Sequence, residues 1–308
     1  MKTIAIYKNG NYIVKLYDNG TKIRQTIDDN DTEFIADFPE NMDVKITDKC
    51  SQNCPFCYEG CSNEGKHATL FKEDGTPAYE WMNHVHKGTE LAINGNDLDH
   101  PQLIDFLKFF KTKGVFVNIT VNQKQFEDNY SKLFTWTNIG LIQGIGVSLK
   151  KYTSNFYECC KWFPNLVVHT IVGITPINEF KKLEYKNYKV LMLGFKRRGR
   201  GIAYDEYLDP LGNIDSYKKY LQQANKDKHK FNILSFDNLA LEQLDVKNTL
   251  NISDDEYSEL YQGDDGTHTF YMDLVNGTYS KSSIVKEIHD IENLTCDEML
   301  YNIRTNNF

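Results

Sequence analysis

The sequence predicts an α/β protein built on a parallel sheet, with a small antiparallel β meander before the sheet and a hairpin after it. Three observations support this prediction. From residue 43 onward, apolar β-prone runs alternate with segments long enough for helices, which is typical of repeated βα units. Asn-Gly turns separate short β-prone runs near the N-terminus, and a further Asn-Gly turn does so in the C-terminal part. Such turns are strong hairpin signals.

The N-terminal segment, residues 1–40, predicts a three-stranded meander. Its β-prone runs are Ile4–Tyr7, Tyr12–Tyr17 and Lys22–Ile27, and they are separated by Asn9-Gly10 and by Asp18-Asn19-Gly20. Both separators favour tight turns between antiparallel strands. We expect this unit to pack against one end of the main sheet, and a role in docking the substrate is the alternative.

The central segment, residues 41–230, carries six predicted strands. They are Asp43–Thr47, Leu91–Asn94, Val115–Val121, Gly144–Leu149, Leu166–Ile174 and Val190–Phe195. The segments between them are long enough for helices. Pro101–Lys113, for example, has Leu103, Phe106, Leu107 and Phe110 on one helical face. Periodicity alone does not separate a barrel from a doubly wound sheet.

The C-terminal segment, residues 231–308, is less regular. It predicts a strand at Phe231–Phe236, a helix at Asn238–Leu244, and a hairpin whose strands Thr269–Val275 and Thr278–Ser283 flank Asn276-Gly277. We expect this extension to form a cap that closes the open side of the central unit.

Composition narrows the possible partners. The 308 residues carry a formal net charge of −8. Extended binding to nucleic acid is therefore disfavoured, because it normally requires a basic face. No apolar run approaches the length of a membrane span, and the N-terminus has no apolar core of a signal peptide. We therefore expect a cytoplasmic protein with no membrane partner, in a compartment that keeps thiols reduced.

The most specific motif is a cysteine string directly after the first predicted strand of the central segment. Cys50, Cys54 and Cys57 have C-x3-C-x2-C spacing, and the aromatic Phe56 precedes the third cysteine. A structural zinc site uses four protein ligands, so three close-set thiolates indicate a four-iron cluster with one iron left open. The alternative is a zinc knuckle that recruits Cys61 as its fourth ligand.

This string resembles the signature of the radical S-adenosylmethionine (radical SAM) superfamily, and the resemblance covers roughly residues 43–200. It implies a partial (β/α)6 TIM-like barrel. It also implies that the three thiolates bind three irons of a 4Fe–4S cluster while SAM chelates the fourth. The reduced cluster would cleave SAM to a 5′-deoxyadenosyl radical that abstracts a substrate hydrogen, with a flavodoxin- or ferredoxin-type protein as electron donor. The other thiols form no second motif (Cys159, Cys160 and Cys296), so a compact member without an auxiliary-cluster (SPASM or twitch) domain is expected.

Candidate SAM contacts lie at the C-terminal ends of the predicted strands, where α/β barrels carry their working sites. They are Phe56, Asn94, Gly95, Asn96, Asn122, Ser148, Lys150 and Gly194. Phe56 is expected at the adenine edge, the Ser148 hydroxyl at the ribose and the Lys150 cation at the methionine carboxylate. Where the family usually has Gly-Gly-Glu-Pro, this sequence has Asn94-Gly95-Asn96-Asp97, so Asn96 or Asp97 would take the place of the glutamate.

Candidate substrate contacts follow the later strands. The loop after the sixth strand reads Lys196-Arg197-Arg198-Gly199-Arg200-Gly201, and its arginines suit a phosphate or carboxylate; a solvated loop is the alternative. His169 and Asp237 are two further candidates, although a histidine within a strand is often a core residue.

The sequence therefore favours a radical SAM enzyme that acts on a peptide or small metabolite. One alternative is radical SAM modification of a nucleotide or nucleic-acid base. Another is a degenerate barrel that keeps an iron–sulfur or zinc site as a structural or sensing module.

Overall fold

The structure is a computed structural model that describes residues 1–93, 98–208, 213–225, 227, 229–260 and 265–307. The strands are β1 (Thr3–Asn9), β2 (Tyr12–Tyr17), β3 (Lys22–Thr26), β4 (Asn41–Lys45), β5 (Glu90–Ile93), β6 (Phe116–Asn122), β7 (Gly144–Ser148), β8 (Leu166–Ile171), β9 (Lys189–Leu193), β10 (Ile233–Phe236), β11 (Thr269–Asp273), β12 (Thr278–Ser280) and β13 (His289–Asp290). The helices are α1 (Trp81–His84), α2 (Leu103–Lys113), α3 (Gln123–Asp128), α4 (Tyr130–Asn138), α5 (Ser154–Cys160), α6 (Ile177–Lys181), α7 (Arg200–Leu208), α8 (Ile214–Ala224), α9 (Asn238–Gln243), α10 (Val246–Leu250), α11 (Asp254–Leu260) and α12 (Cys296–Thr305).

The strands form two sheets. β1, β2 and β3 make an antiparallel three-stranded sheet, and the other ten strands make one sheet in the order β10-β9-β8-β7-β6-β5-β4-β11-β12-β13. From β4 to β10, each strand pairs in parallel with the next strand of the chain. A doubly wound sheet would reverse its order at a switch point, and this run does not. The predicted α/β class with a large, mostly parallel sheet is confirmed.

The C-terminal segment joins the main sheet in a way that the sequence did not indicate. β11 and β12 pair antiparallel around the Asn276-Gly277 turn, which confirms the predicted hairpin. β11 also pairs in parallel with β4, and Asp273 lies opposite Lys45. This segment was predicted as a cap, but β11 is a full neighbour of the first parallel strand.

Most strand boundaries differ by one to three residues from the sequence prediction, and the first and fifth parallel strands show why. The first parallel strand lies at Asn41–Lys45, two residues earlier than predicted, because alternating side chains fix the faces of a strand but not its ends. β8 ends at Ile171, short of the predicted Ile174, because the chain turns back on itself there. The N–H of Ile174 bonds the carbonyl of Ile171, and Gly173 has a φ of +75°.

The two faces of the parallel sheet have different environments. On β6 the outward residues Val117, Ile119 and Val121 are buried, while Asn118 and Thr120 line an internal cavity on the other face. Helix α2 covers part of the outer face, and its buried residues are the predicted Leu103, Phe106, Leu107 and Phe110. Among the helices that the structure describes, none has the length and apolar character needed to cross a bilayer.

The three-stranded sheet contacts the N-terminal ends of the parallel strands. The carbonyl of Asp18, in the turn between β2 and β3, accepts a hydrogen bond from Asn165 Nδ2 at 2.5 Å. The carbonyl of Asn19 accepts one from Lys189 Nζ at 2.8 Å. On β3, Lys22 pairs with Glu90 at 2.9 Å. The carboxyl ends of the strands, where the cysteine string lies, are therefore at the opposite end.

Candidate active site

A cavity of ≈ 940 Å³ lies on the inner face of the parallel sheet. It runs from the cysteine string at the carboxyl ends of the strands to the β2–β3 turn at the other end. Alternate strand residues line it, and they include Asp43, Ala92, Asn118, Thr120, Gly144, Gly146, Ser148, Val167, His169, Leu191 and Leu193. Many of these side chains are small, so the centre of the sheet stays open where barrel interiors are usually filled. The volume lies at the upper end of the roughly 300–1,000 Å³ typical of small-molecule sites.

The cysteine loop, which we define as residues 50–61, forms one end of this cavity. Cys50, Cys54, Cys57 and Cys61 all line the cavity. The loop turns on itself, since the N–H of Cys57 bonds the carbonyl of Cys54 at 3.2 Å, and Asn53 adopts a left-handed φ of +44°. The predicted string thus brings its three thiols to one wall of one cavity.

The environment of the thiols differs along the loop. The Cys61 thiol donates to Cys57 and, although burial opposes the effect, neighbouring backbone N–H groups and Arg200 help to lower the pKa of Cys57 to about 6. Burial and the neighbouring thiolates raise the pKa of Cys54, while Arg200 and Lys150 oppose that rise. The thiolate is the form that binds metal, so the contacts that lower the pKa of Cys57 favour its metal-binding form.

The three cysteines on one cavity wall can be compared with the ligands that a zinc ion and an iron–sulfur cluster require. Within the described ranges, no group of three or more His, Cys, Asp or Glu side chains is gathered around one ion position. A zinc tetrahedron needs four ligands at about 2.0–2.3 Å from one point. In a 4Fe–4S cluster each thiolate binds a different iron, so the sulfurs need not converge. Three thiols spread along one cavity wall meet that requirement.

A group of charged residues around Lys45 holds the cysteine loop through Glu59. This group was not identified from the sequence. Lys45 Nζ lies 2.5 Å from Asp48, 3.3 Å from Glu59 and 2.9 Å from Asp273. Burial opposes the charge of Lys45, but the three carboxylates outweigh it and raise the lysine pKa. Tyr271 on β11 donates to Glu59 at 3.0 Å. A lysine between the apolar residues Val44 and Ile46 was the available signal, because a buried cation requires partners.

The three arginines predicted as substrate contacts are bound to protein groups. Arg197 Nε pairs with Asp205 at 2.8 Å and is largely exposed. Arg198 donates to the carbonyl of Ser283. Arg200, the one of the three that borders the cavity, donates to carbonyls of the cysteine loop. The three guanidinium groups that were predicted to bind a phosphate or carboxylate therefore bond to protein groups instead. Their partners are Asp205, Ser283 and the carbonyls of the cysteine loop.

Of the predicted SAM contacts that the structure describes, four line the cysteine end of the cavity, and the fifth, Lys150, is exposed and does not line it. Phe56, Asn122, Ser148 and Gly194 line it. Asn122 also caps α3, since its Oδ1 accepts the N–H of Gln125 at 2.9 Å. A Cβ on Gly194 would lie 2.4 Å from Leu239 Cγ, so packing against α9 already explains this glycine. The turn formed by Asn94, Gly95, Asn96 and Asp97 lies outside the described residues.

The two remaining candidates have different surroundings. Burial lowers the pKa of His169 to about 4, which keeps its ring neutral, and a Cβ on Gly146 would lie 2.3 Å from the His169 Cε1. Asp237 lies next to the cavity but is tied to backbone. Its Oδ1 accepts the N–H groups of Gly194 at 2.9 Å and Ala240 at 2.7 Å, and it caps α9.

Comparison with known proteins gives a likeness of fold. No protein-family model matches the chain, and no curated protein matches it either. Among solved structures, the crystal structure of SuiB from Streptococcus suis bound to S-adenosylmethionine superposes with a TM-score of 0.55. The match covers 88% of this chain and 69% of the SuiB chain at 14% sequence identity. The two proteins therefore share a fold, whereas so low an identity carries no residue roles from one to the other.

Proposed function

We propose that this protein is a radical SAM enzyme with a single 4Fe–4S cluster held by Cys50, Cys54 and Cys57, and that it acts on a peptide or small metabolite. One observation carries the proposal. The three thiols line a single cavity at the carboxyl end of the first parallel strand, which is where α/β folds carry their active sites. The likeness of fold to SuiB, whose structure has bound S-adenosylmethionine, supports SAM as the ligand.

The proposed architecture is a partial (β/α)6 barrel. β4 to β9 follow one another in parallel, and residues of all six strands line the cavity. Both features support a sheet that curves around its inner face. In this proposal the N-terminal unit is residues 1–40, the barrel is residues 41–230 and the C-terminal extension is residues 231–308.

When held by Cys50, Cys54 and Cys57, the cluster would supply the one electron that reductive cleavage of SAM requires, and the cleaved SAM would provide the radical chemistry for hydrogen abstraction from the substrate. The chain's own residues orient the ligand and exclude water. Phe56 would contact the adenine edge, Ser148 would bind the ribose, Asn122 would bind the ribose or the carboxylate, and the Lys150 cation would pair with the methionine carboxylate. Lys150 is exposed and does not line the cavity in this structure, so this pairing would require its side chain to turn toward the cysteine loop.

The cavity wall around His169 favours an uncharged group of the substrate, although charged residues such as Asp43, Glu90 and Lys189 also line the cavity. His169 is neutral because burial lowers its pKa to about 4, and small or apolar residues such as Ala92, Gly146 and Val167 form the neighbouring wall. The alternative function, modification of a nucleotide, depended on the arginines after β9 as phosphate ligands. In the structure these arginines are bound to protein groups. We therefore prefer a peptide or small metabolite to a nucleotide.

Two further parts of the proposal concern the surroundings of the enzyme. Reductive cleavage needs an external one-electron donor, for which we propose a flavodoxin- or ferredoxin-type protein. We also propose a cytoplasmic location, because the seven cysteines are free thiols and a reducing compartment keeps them available for iron.

Cysteine variants test the cluster assignment. Replacing Cys50, Cys54 and Cys57 together by Ala should abolish iron and sulfide binding after anaerobic reconstitution, whereas Cys61→Ala should retain both. Cys159→Ala, at a half-buried cysteine on α5, is the matched control. Iron loss in the Cys61 variant would favour the zinc-knuckle ligand set, and iron retention in the triple variant would refute the three-ligand assignment.

A further inference from the structure

The loop that follows β9 is bound directly to the cysteine loop, and Arg200 makes most of the contacts. Its Nε donates to the carbonyl of Cys54 at 2.9 Å. Its Nη1 donates to Gly60 at 3.0 Å and its Nη2 to Cys61 at 2.9 Å. The backbone N–H of Arg200 bonds the carbonyl of Cys57 at 3.0 Å. One residue thus holds carbonyls from the middle and from the end of the cysteine loop.

Gly199 allows the two backbones to approach this closely, and Gly201 allows the loop after β9 to fold back on itself. Gly199 has a φ of +53°, and a Cβ there would lie 2.5 Å from the carbonyl oxygen of Tyr58. A Cβ on Gly201 would lie 2.4 Å from the carbonyl oxygen of Lys196. Real Cβ atoms do not come so near to backbone atoms, so these positions require glycine. Lys196 adds a further contact, because its Nζ lies 4.1 Å from the centre of the Tyr58 ring.

The geometry requires arginine rather than any cation. A guanidinium presents its N–H groups in a planar fork that bonds several acceptors at once, whereas an ammonium is a compact point charge. The accepting carbonyls are separated along the chain by up to seven positions, from Cys54 to Cys61. When these carbonyls are bonded to Arg200, the orientations of the peptide planes around Cys54, Cys57 and Cys61 are fixed. The backbone orientation in turn sets the direction in which each thiol leaves the chain.

We infer that Arg200 is a positioning residue that holds the cysteine loop in its cluster-binding shape before iron arrives. Gly199 gives Arg200 access to the cysteine loop, and Gly201 permits the turn that carries Arg200. The inference deepens the proposed function and rests on it for the role of the loop as a cluster site. The contact itself is a property of the apo chain and is testable without a cluster.

The first readout is the protection of Cys61 in the apo protein. Cys61 is 2% exposed and Cys296, on the distant α12, is 1% exposed, so neither should react quickly with a pulse of iodoacetamide under anaerobic conditions. Arg200→Ala should raise the alkylation rate of Cys61, measured by peptide mass spectrometry, at least about tenfold, and leave Cys296 unchanged. A tenfold change corresponds to about 1.4 kcal/mol in the free energy of local opening.

Matched variants define the controls. Arg197→Ala removes a neighbouring cation that pairs with Asp205 and lies mostly exposed, and it should leave Cys61 protected. Arg200→Lys keeps a charge but not the fork, and it should give partial protection. If Arg200→Ala also exposes Cys296, the chain has opened globally, and Arg200→Lys then decides. Selective exposure of Cys61 in that variant supports the inference.

The second readout uses the reconstituted protein. Arg200→Ala should lose iron to a chelator faster than wild type and should change the EPR spectrum of the reduced cluster, while Arg197→Ala should do neither. Unchanged protection of Cys61 in both Arg200 variants would overturn the inference. Failure of the wild type itself to bind a cluster would instead refute the proposed function, and the alkylation result would still decide the role of Arg200.

Discussion

Lys45→Met tests whether the C-terminal strand β11 stabilises the cysteine loop through a buried charge. The lysine is 4% exposed, and its ammonium group faces Asp48, Glu59 and Asp273 at 2.5, 3.3 and 2.9 Å. Methionine keeps the apolar stem and removes the cation. The three carboxylates would then face one another without a counter-charge.

Removing one partner of a buried ion pair costs about 3–5 kcal/mol. We expect the lower end, about 3 kcal/mol, because Asp273 also accepts three hydrogen bonds from Val275 and Asn276. An unfolding entropy of about 2.1 cal/mol/K per residue gives about 0.65 kcal/mol/K for 308 residues. The midpoint of thermal unfolding should therefore fall by about 5 °C.

The assay is calorimetry of the anaerobic apo protein, so that cluster binding does not contribute. Lys124→Met is the matched control. Its ammonium group lies 2.5 Å from Asp128, as close as Lys45 lies to Asp48, but the two side chains are 68% and 56% exposed. Exposed pairs contribute at most about 1 kcal/mol, so this control should shift the midpoint by less than about 2 °C. Equal shifts for the two variants would refute the reasoning.

Two other predictions concern His100 and His169. His100 Nε2 donates to the carbonyl of Ala68 at 3.0 Å and its Nδ1 accepts the N–H of Gln102 at 3.1 Å, and burial lowers its pKa to about 4. Because the unfolded chain binds the proton at higher pH, near 6.5, the stability due to neutral His100 is present above that pH and falls by about 2 kcal/mol between pH 7 and 5. His100→Asn should lose this dependence in urea titrations, and parallel curves for the two proteins would contradict the prediction. Gly146→Ala should overpack the cavity against the His169 ring and lower the free energy of unfolding by about 1–3 kcal/mol. Gly144→Ala is its control, since its nearest neighbour, Asn118 Oδ1 at 2.9 Å, belongs to a side chain that can rotate, and an equal loss in both would argue against a fixed His169.

The local features of the fold were predictable from the sequence, and its long-range pairing was not. Alternating apolar residues gave the strands, the apolar face of α2 gave its buried residues, and Asn276-Gly277 gave the hairpin. The pairing of β11 with β4 joins residues more than 200 positions apart, such as Lys45 and Asp273. No local pattern encodes such a partner, because the pairing depends on which sheet edge remains free.

In the candidate site too, the local motif was predictable from the sequence and the contacts between distant segments were not. The spacing of Cys50, Cys54 and Cys57 was enough to predict that the three thiols share one site. The direction of the arginine side chains was not predictable, because the order of residues in a loop does not show which way its side chains point. The run was predicted to contact a ligand. In the structure Arg200 turns to carbonyls of the cysteine loop, and that orientation depends on the close approach that Gly199 permits.

The most direct test of the proposed function is the cleavage of SAM by the reconstituted protein. The protein would be loaded with iron and sulfide in an anaerobic glove box, reduced with dithionite and mixed with SAM. Mass spectrometry would detect 5′-deoxyadenosine, and EPR would be recorded before and after SAM. The proposal predicts 5′-deoxyadenosine and a shifted EPR signal, both lost when Cys50, Cys54 and Cys57 are replaced by Ala. A protein that loads iron but gives neither signal, and that shows no SAM binding in a direct titration, would contradict it.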